Sequence, residues 1–139
     1  MARILVIEDE ASIRTNLLRF LRLEGYDASD AADGRTGLQT ANAHRPDLIF
    51  CDVMMPQMSG MEVLSALQSD AALQHIPFIF LSASAEPERK DEALRLGASG
   101  YVTKPFNFAQ LRALLNKYLP EAGESPIKGS IDFPTSDFT

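Results

Sequence analysis

The 139-residue sequence has no tryptophan, one cysteine and two histidines. A single thiol, Cys51, excludes an internal disulfide and points to a reducing, cytoplasmic setting. Placed behind Leu48-Ile49-Phe50, it reads as a small buried hydrophobe rather than a reactive thiol. His44 and His75 are too few and too scattered for a zinc centre. Positive charge is also scarce: 13 Lys and Arg stand against 19 Asp and Glu, a net charge of −6. That balance argues against direct nucleic-acid binding by this domain. No hydrophobic run is long enough to cross a membrane. The first apolar run, Ile4-Leu5-Val6-Ile7, is halted by Glu8, Asp9 and Glu10, too early for a signal peptide. What is present is ordinary: 45% apolar residues, 23% charged, and a length that suits one domain with a core of its own.

Short apolar runs alternate with amphipathic stretches. Ile4–Ile7, Leu48–Cys51 and Phe78–Leu81 are nearly continuous and rich in Ile, Val and Phe, as strands covered on both faces are. Tyr26–Ala31 and Gly100–Thr103 are weaker strand candidates and suit sheet edges. Ile13, Leu17, Phe20, Leu21 and Glu24 share one side of a helix that ends before Gly25. Arg35–His44 is a poorer helix closed by Pro46. Met61, Leu64 and Leu67 mark a third helix after Gly60, and Glu88–Leu96 a fourth stopped by Gly97. Phe108, Leu111, Leu114, Leu115 and Tyr118 mark a fifth, with Asn107 as N-cap and Gln110 three residues on. Five β-α units with short loops predict an α/β fold of parallel strands joined by right-handed crossovers. From Pro120 onward, Pro-Glu-Ala-Gly-Glu-Ser-Pro reads as a linker. The expected division is a domain over residues 1–119 and a linker or tail over 120–139, although Ile127, Ile131, Phe133 and Phe138 keep some apolar character there.

In an open parallel sheet, ligands bind beyond the carboxyl ends of the strands. Glu8, Asp9 and Glu10 follow the first strand, Asp52 the third, Ser82 and Ala83 the fourth, Lys104 and Pro105 the fifth. The second strand offers only Ala32 and Asp33. Crowded carboxylates demand a proton or a cation. Few, hard oxygen ligands suit Mg²⁺, which keeps several waters and also holds phosphate oxygens. An Asp carboxylate can act as a nucleophile and form an aspartyl phosphate. A lysine can neutralise the transferred group, and the short Ser82 hydroxyl can donate to its oxygens. Glu10 reads as a solvated loop residue. Asp52 or Lys104 taken singly would read as a turn or surface residue; it is the convergence on one rim that points to chemistry.

Four segments in order carry a family likeness: Ile4-Leu5-Val6-Ile7-Glu8-Asp9-Glu10; Asp47-Leu48-Ile49-Phe50-Cys51-Asp52-Val53-Met54-Met55-Pro56 with Gly60; Leu81-Ser82-Ala83; and Gly100-Tyr101-Val102-Thr103-Lys104-Pro105-Phe106. From Arg3 to about Leu119 the chain resembles the receiver domains of bacterial two-component response regulators. The resemblance implies a flavodoxin-like (βα)5 doubly wound sheet with strand order 2-1-3-4-5. It implies that Asp52 accepts a phosphoryl group from a phosphohistidine on a sensor histidine kinase or phosphotransfer protein. It implies Mg²⁺ held by Asp9, Asp52 and the Met54 main-chain carbonyl, with Glu8 acting through water, and catalysis by Lys104 and Ser82 of the domain's own modification only. Ser82 and Tyr101 resemble the family's switch pair. Their movement would alter the surface of the fourth helix, fifth strand and fifth helix, for a downstream partner, an output domain or a homodimer.

Regulators with winged-helix outputs often carry two acidic residues before the tyrosine and a Glu early in the last helix. Here Ser99, Gly100 and Gln110 stand at those positions. A phosphatase-like enzyme of similar topology is the competing reading. It would want a second Asp two residues after the nucleophile, where this chain has Met54, and a cap for which the chain has no room. A stand-alone receiver and one cut from a longer regulator fit the sequence equally.

Overall fold

A computed structural model describes residues 2–120. Of the linker or tail expected over 120–139, all but Pro120 lies outside the described residues. Strands and helices alternate without exception: β1 (Arg3–Ile7), α1 (Ala11–Leu23), β2 (Asp27–Ala31), α2 (Gly34–His44), β3 (Leu48–Asp52), α3 (Gly60–Gln68), β4 (Phe78–Ser82), α4 (Pro87–Arg95), β5 (Gly100–Thr103) and α5 (Phe108–Tyr118). The strands form one parallel five-stranded sheet in the order β2-β1-β3-β4-β5, the flavodoxin-like arrangement.

The apolar runs explain why the sheet is covered twice. Successive strand side chains point to opposite faces. Leu5, Ile7, Ile49, Cys51, Phe78, Phe80 and Tyr101 therefore pack with Ala41, Val63, Leu64, Leu67 and Ala93 of α2, α3 and α4. Their neighbours Ile4, Val6, Leu48, Phe50, Ile79, Leu81 and Val102 pack with Leu17, Leu18, Phe20, Leu21, Leu111 and Leu115 of α1 and α5. β3 and β4 are buried along their whole length, whereas β2 exposes Asp27 and Asp30 as an edge strand should.

Local chemistry sets the helix ends. Gly25 (φ +96°) and Gly97 (φ +110°) close α1 and α4 in the left-handed conformation that glycine adopts without penalty. Beyond them the Tyr26 and Ala98 amides donate back to Leu21 and Ala93. That return explains why β2 starts at Asp27 and not at Tyr26. α4 begins one residue before Glu88, because Pro87 suits the first helical position. Asn107 caps α5 as expected, its side chain accepting from Ala109 and Gln110. The reciprocal capping box occurs instead at α3, between Ser59 and Glu62.

Gly60 is a steric requirement. Its amide donates to the Val53 carbonyl at 2.8 Å, and a Cβ there would overlap the Asp52 carbonyl oxygen and lie 3.0 Å from the Phe80 ring. The start of α3 is thus pressed against the end of β3. Gly60→Ala should destabilise the domain by about 1–3 kcal/mol, the usual range for overpacking. Urea denaturation reads the loss, and wild-type stability in the variant would contradict this packing.

Candidate functional site

Parallel register brings the strand ends level. Ile7 pairs with Cys51, Asp52 with Leu81, and Ser82 with Thr103, so the residues at or after these ends share one rim. Glu8 is fully buried, and Asp52 and Ser82 nearly so. Lys104 reaches in from the residue after β5. Its Nζ lies 2.9 Å from Glu8 Oε1 and 3.1 Å from Asp52 Oδ2. The Met54 amide donates to Asp52 Oδ1 at 3.3 Å, and the Glu10 amide to Glu8 Oε2 at 3.1 Å. Asp9 is exposed, yet Glu8, Asp9 and Asp52 each bring a carboxylate oxygen within 4.8 Å of the others.

One ammonium therefore faces three carboxylates. Two unit charges about 4 Å apart interact by about 4 kcal/mol at an effective dielectric of about 20. The excess repulsion falls on Asp52. Burial first, then the charge and close approach of the Glu8 carboxylate, raise its pKa from 3.8 to about 7, against the opposing pull of Lys104. Burial would lower the Lys104 pKa, but the close Glu8 and Asp52 carboxylates outweigh it and raise the pKa. Glu8 Oε1 is ion-paired with Lys104 but accepts no well-directed hydrogen bond. A buried oxygen short of donors, a second buried carboxylate and an exposed third fit a hard divalent cation that retains some of its waters.

The other residues singled out from sequence divide. Ser82 is at the rim, but its partner is local: the Ser84 amide donates to Ser82 Oγ at 3.0 Å. Tyr101 is buried, and its hydroxyl donates to the Ser84 carbonyl at 2.8 Å. The two residues are thus linked through Ser84. Met54 exposes 72% of its surface beside Asp52, and Glu10 is exposed outside the acidic group. Sequence spacing does not reveal the role of Arg14. Arg14 donates from Nη1 to the Glu8 carbonyl at 2.7 Å and from Nε to Asp30 Oδ2 at 3.1 Å. Its place four residues after Glu10 suggests an intrahelical ion pair with that residue, so the pattern hides its real partners.

The response regulator receiver domain family matches residues 4–116. The phosphate regulon transcriptional regulatory protein PhoB of Pseudomonas aeruginosa is 36% identical over 129 residues, which cover 90% of this chain and 56% of that protein. The chain thus spans little more than half the length of such relatives. Among solved structures, the chemotaxis response regulator CheY4 of Vibrio cholerae superposes with a TM-score of 0.80 at 37% identity, covering 86% of this chain and 99% of that one. The receiver domain of the sensor histidine kinase PA1611 from Pseudomonas aeruginosa, solved with a magnesium ion in its active-site cleft, gives 0.79 at 28% identity, covering 86% and 98%.

The raised Asp52 carboxyl gives a pH dependence of definite sign. Its folded pKa of about 7 exceeds the ordinary 3.8, so its contribution to stability is full below about pH 3.8 and is lost as pH rises through about 7. Metal-free protein should therefore be less stable to urea at about pH 8 than at about pH 5.5, and Asp52→Asn should narrow the gap. An equal or wider gap in the variant would show that Asp52 is not the group responsible.

Proposed function

The chain belongs to the response regulator receiver domain family of two-component signalling, and on that premise we propose that Asp52 is its phosphoacceptor. The observation that carries this reading is the position of Asp52. It is a buried carboxylate at the end of the central strand, 3.1 Å from a lysine and within reach of two further carboxylates. A receiver domain is not a conventional enzyme; the chemistry proposed for this one is its own modification.

Ionised Asp52 attacks phosphorus in line. The bond from phosphorus to the donor breaks, to histidine nitrogen in a kinase or phosphotransfer protein or to acyl oxygen in a small donor, and an aspartyl phosphate forms. Lys104 Nζ, already on Asp52 Oδ2, is placed to follow the phosphoryl oxygens and neutralise them. The Ser82 hydroxyl accepts from Ser84 but donates to no partner among the described residues, so its proton can go to the same oxygens. Asp9, Asp52 and the Met54 carbonyl would hold Mg²⁺, with Glu8 acting through water. The ion would supply the charge that lets nucleophile and phosphoryl group approach. The magnesium in the related cleft of the PA1611 receiver domain supports that choice of metal.

The output runs through the second link. If Ser82 turns to the phosphoryl group, its bond from Ser84 is disturbed, and Ser84 also holds the Tyr101 hydroxyl. The change passes into α4, which buries only Ala93 of its side chains, and so to the α4-β5-α5 surface. That surface would engage a downstream partner, an output domain or a second copy of the chain. The length and name of PhoB favour a transcriptional output in a longer protein. Residues 1–119 are the proposed receiver, with 120–139 as linker or tail. Among the described residues no helix is long and apolar enough to cross a membrane, and we place the domain in the cytoplasm without direct nucleic-acid contact of its own.

Incubation with an acyl phosphate and Mg²⁺, followed by mass spectrometry, should place one phosphoryl group on Asp52 and none on Asp52→Asn. Full modification of the variant elsewhere would overturn the assignment. A second expectation concerns lifetime. Hydrolysis needs water in line with the P–O bond, and the exposed Met54 side chain is placed to flank that path. A thioether donates no hydrogen bond and accepts poorly, so it shields the group without orienting water. Ser84, two residues after Ser82, is short and would offset this only in part. Met54→Asn should speed loss of phosphate up to roughly a hundredfold. Decay followed on purified phosphoprotein with no kinase present reads the change, and a rate at or below wild type would reject the shielding role.

A further inference from the structure

We infer that Arg14 is a positioning residue for the acidic rim: it aims the Asp9 carboxylate by pinning the Glu8 carbonyl to the edge strand. The turn from β1 to α1 holds Glu8, Asp9 and Glu10, and most of it is fixed. The Glu8 amide donates to the Ala31 carbonyl at 3.0 Å, and the Glu8 side chain accepts from the Glu10 amide. Asp9 differs. It is exposed, and no hydrogen bond to its side chain is formed among the described residues. No side chain caps the helix that follows, since Glu10 at the N-cap makes no such bond. Among the described residues, hydrogen bonding therefore restrains the Asp9 carboxylate only through the main chain that carries its Cα.

The peptide group is planar, so fixing the Glu8 C=O also fixes the Asp9 N and Cα. Arg14 provides that restraint from Nη1 at 2.7 Å, and Asp30 braces the same guanidinium through Nε at 3.1 Å. The Arg14 side chain keeps only 19% of its exposure, so its bond to the Glu8 carbonyl is partly shielded from solvent, whereas its Asp30 brace lies at the exposed edge of the sheet. Through it β2, which puts no carboxylate into the acidic group, takes part in shaping the rim.

The inference rests on the proposed Mg²⁺ site, and charge gives it a test of sign. A guanidinium acting only by its charge repels a divalent cation, so its removal would tighten Mg²⁺ binding. A guanidinium that positions Asp9 has the opposite effect, because its removal disorders a ligand. Outer partners of metal ligands typically contribute roughly tenfold or more in affinity. Arg14→Ala should weaken Mg²⁺ binding by about that factor, measured by calorimetry or by amide shifts in the folded protein. At saturating Mg²⁺, its labelling by acyl phosphate should return close to the wild-type rate. Arg14→Lys keeps the charge but lacks the planar fork that reaches two acceptors, so it should bind Mg²⁺ nearly as weakly. It carries the test if the alanine variant does not fold. A lower melting temperature with unchanged or tighter Mg²⁺ affinity would reduce Arg14 to a structural residue and overturn the inference. Absence of Mg²⁺ binding by the wild type would overturn the metal site itself, and this inference with it.

Discussion

The site is organised by an imbalance of charge that the fold enforces: Lys104 is one cation among three carboxylates, two of them buried. A free chain would relieve such crowding by separating the groups. Here β1, β3 and β5 hold them in register, and layers of Ile, Leu, Val and Phe on both faces leave those strands nowhere to move. The crowding is therefore retained, and burial first, with the Glu8 charge second, leaves an Asp52 that resists ionisation near neutral pH. Positive charge brought to the rim relieves the same crowding.

The fold, by contrast, was nearly transparent in the sequence, because each layer of it leaves a periodic trace. Continuous apolar runs marked β1, β3 and β4, and glycines marked the ends of α1 and α4. The candidate residues Glu8, Asp9, Asp52, Ser82 and Lys104 were legible because each sits at, or directly after, a strand end. What stayed hidden was of another kind. Arg14 bonds to a main-chain carbonyl and to a carboxylate on an edge strand, and no spacing rule encodes either. Gly60 was visible as part of a motif, but its reason, the nearby Asp52 carbonyl, is purely three-dimensional. The capping box of α3 is written as Ser59-x-x-Glu62, a short polar signal beside the stronger apolar stripe of Val63, Leu64 and Leu67.

The same burial pattern bears on where a disturbance at the rim would be felt. α3 buries Val63, Leu64 and Leu67, each worth about 1.5–3 kcal/mol when fully removed from water. α4 buries Ala93, whose single methyl is worth about 0.8 kcal/mol by the same scale. Much of what fixes α4 is polar and at its ends: Gln68 donates to the Leu96 carbonyl at 2.8 Å, and Ser84, before the helix, receives the Tyr101 hydroxyl. Such bonds contribute about 1 kcal/mol each. Those few bonds are commensurate with the charge imbalance at the rim, and the core of α3 is not. α4 is thus held far more weakly than α3 or the sheet that fixes Asp52, so a disturbance passing from the rim would shift α4 before the sheet, the division of strength that a reversible switch requires.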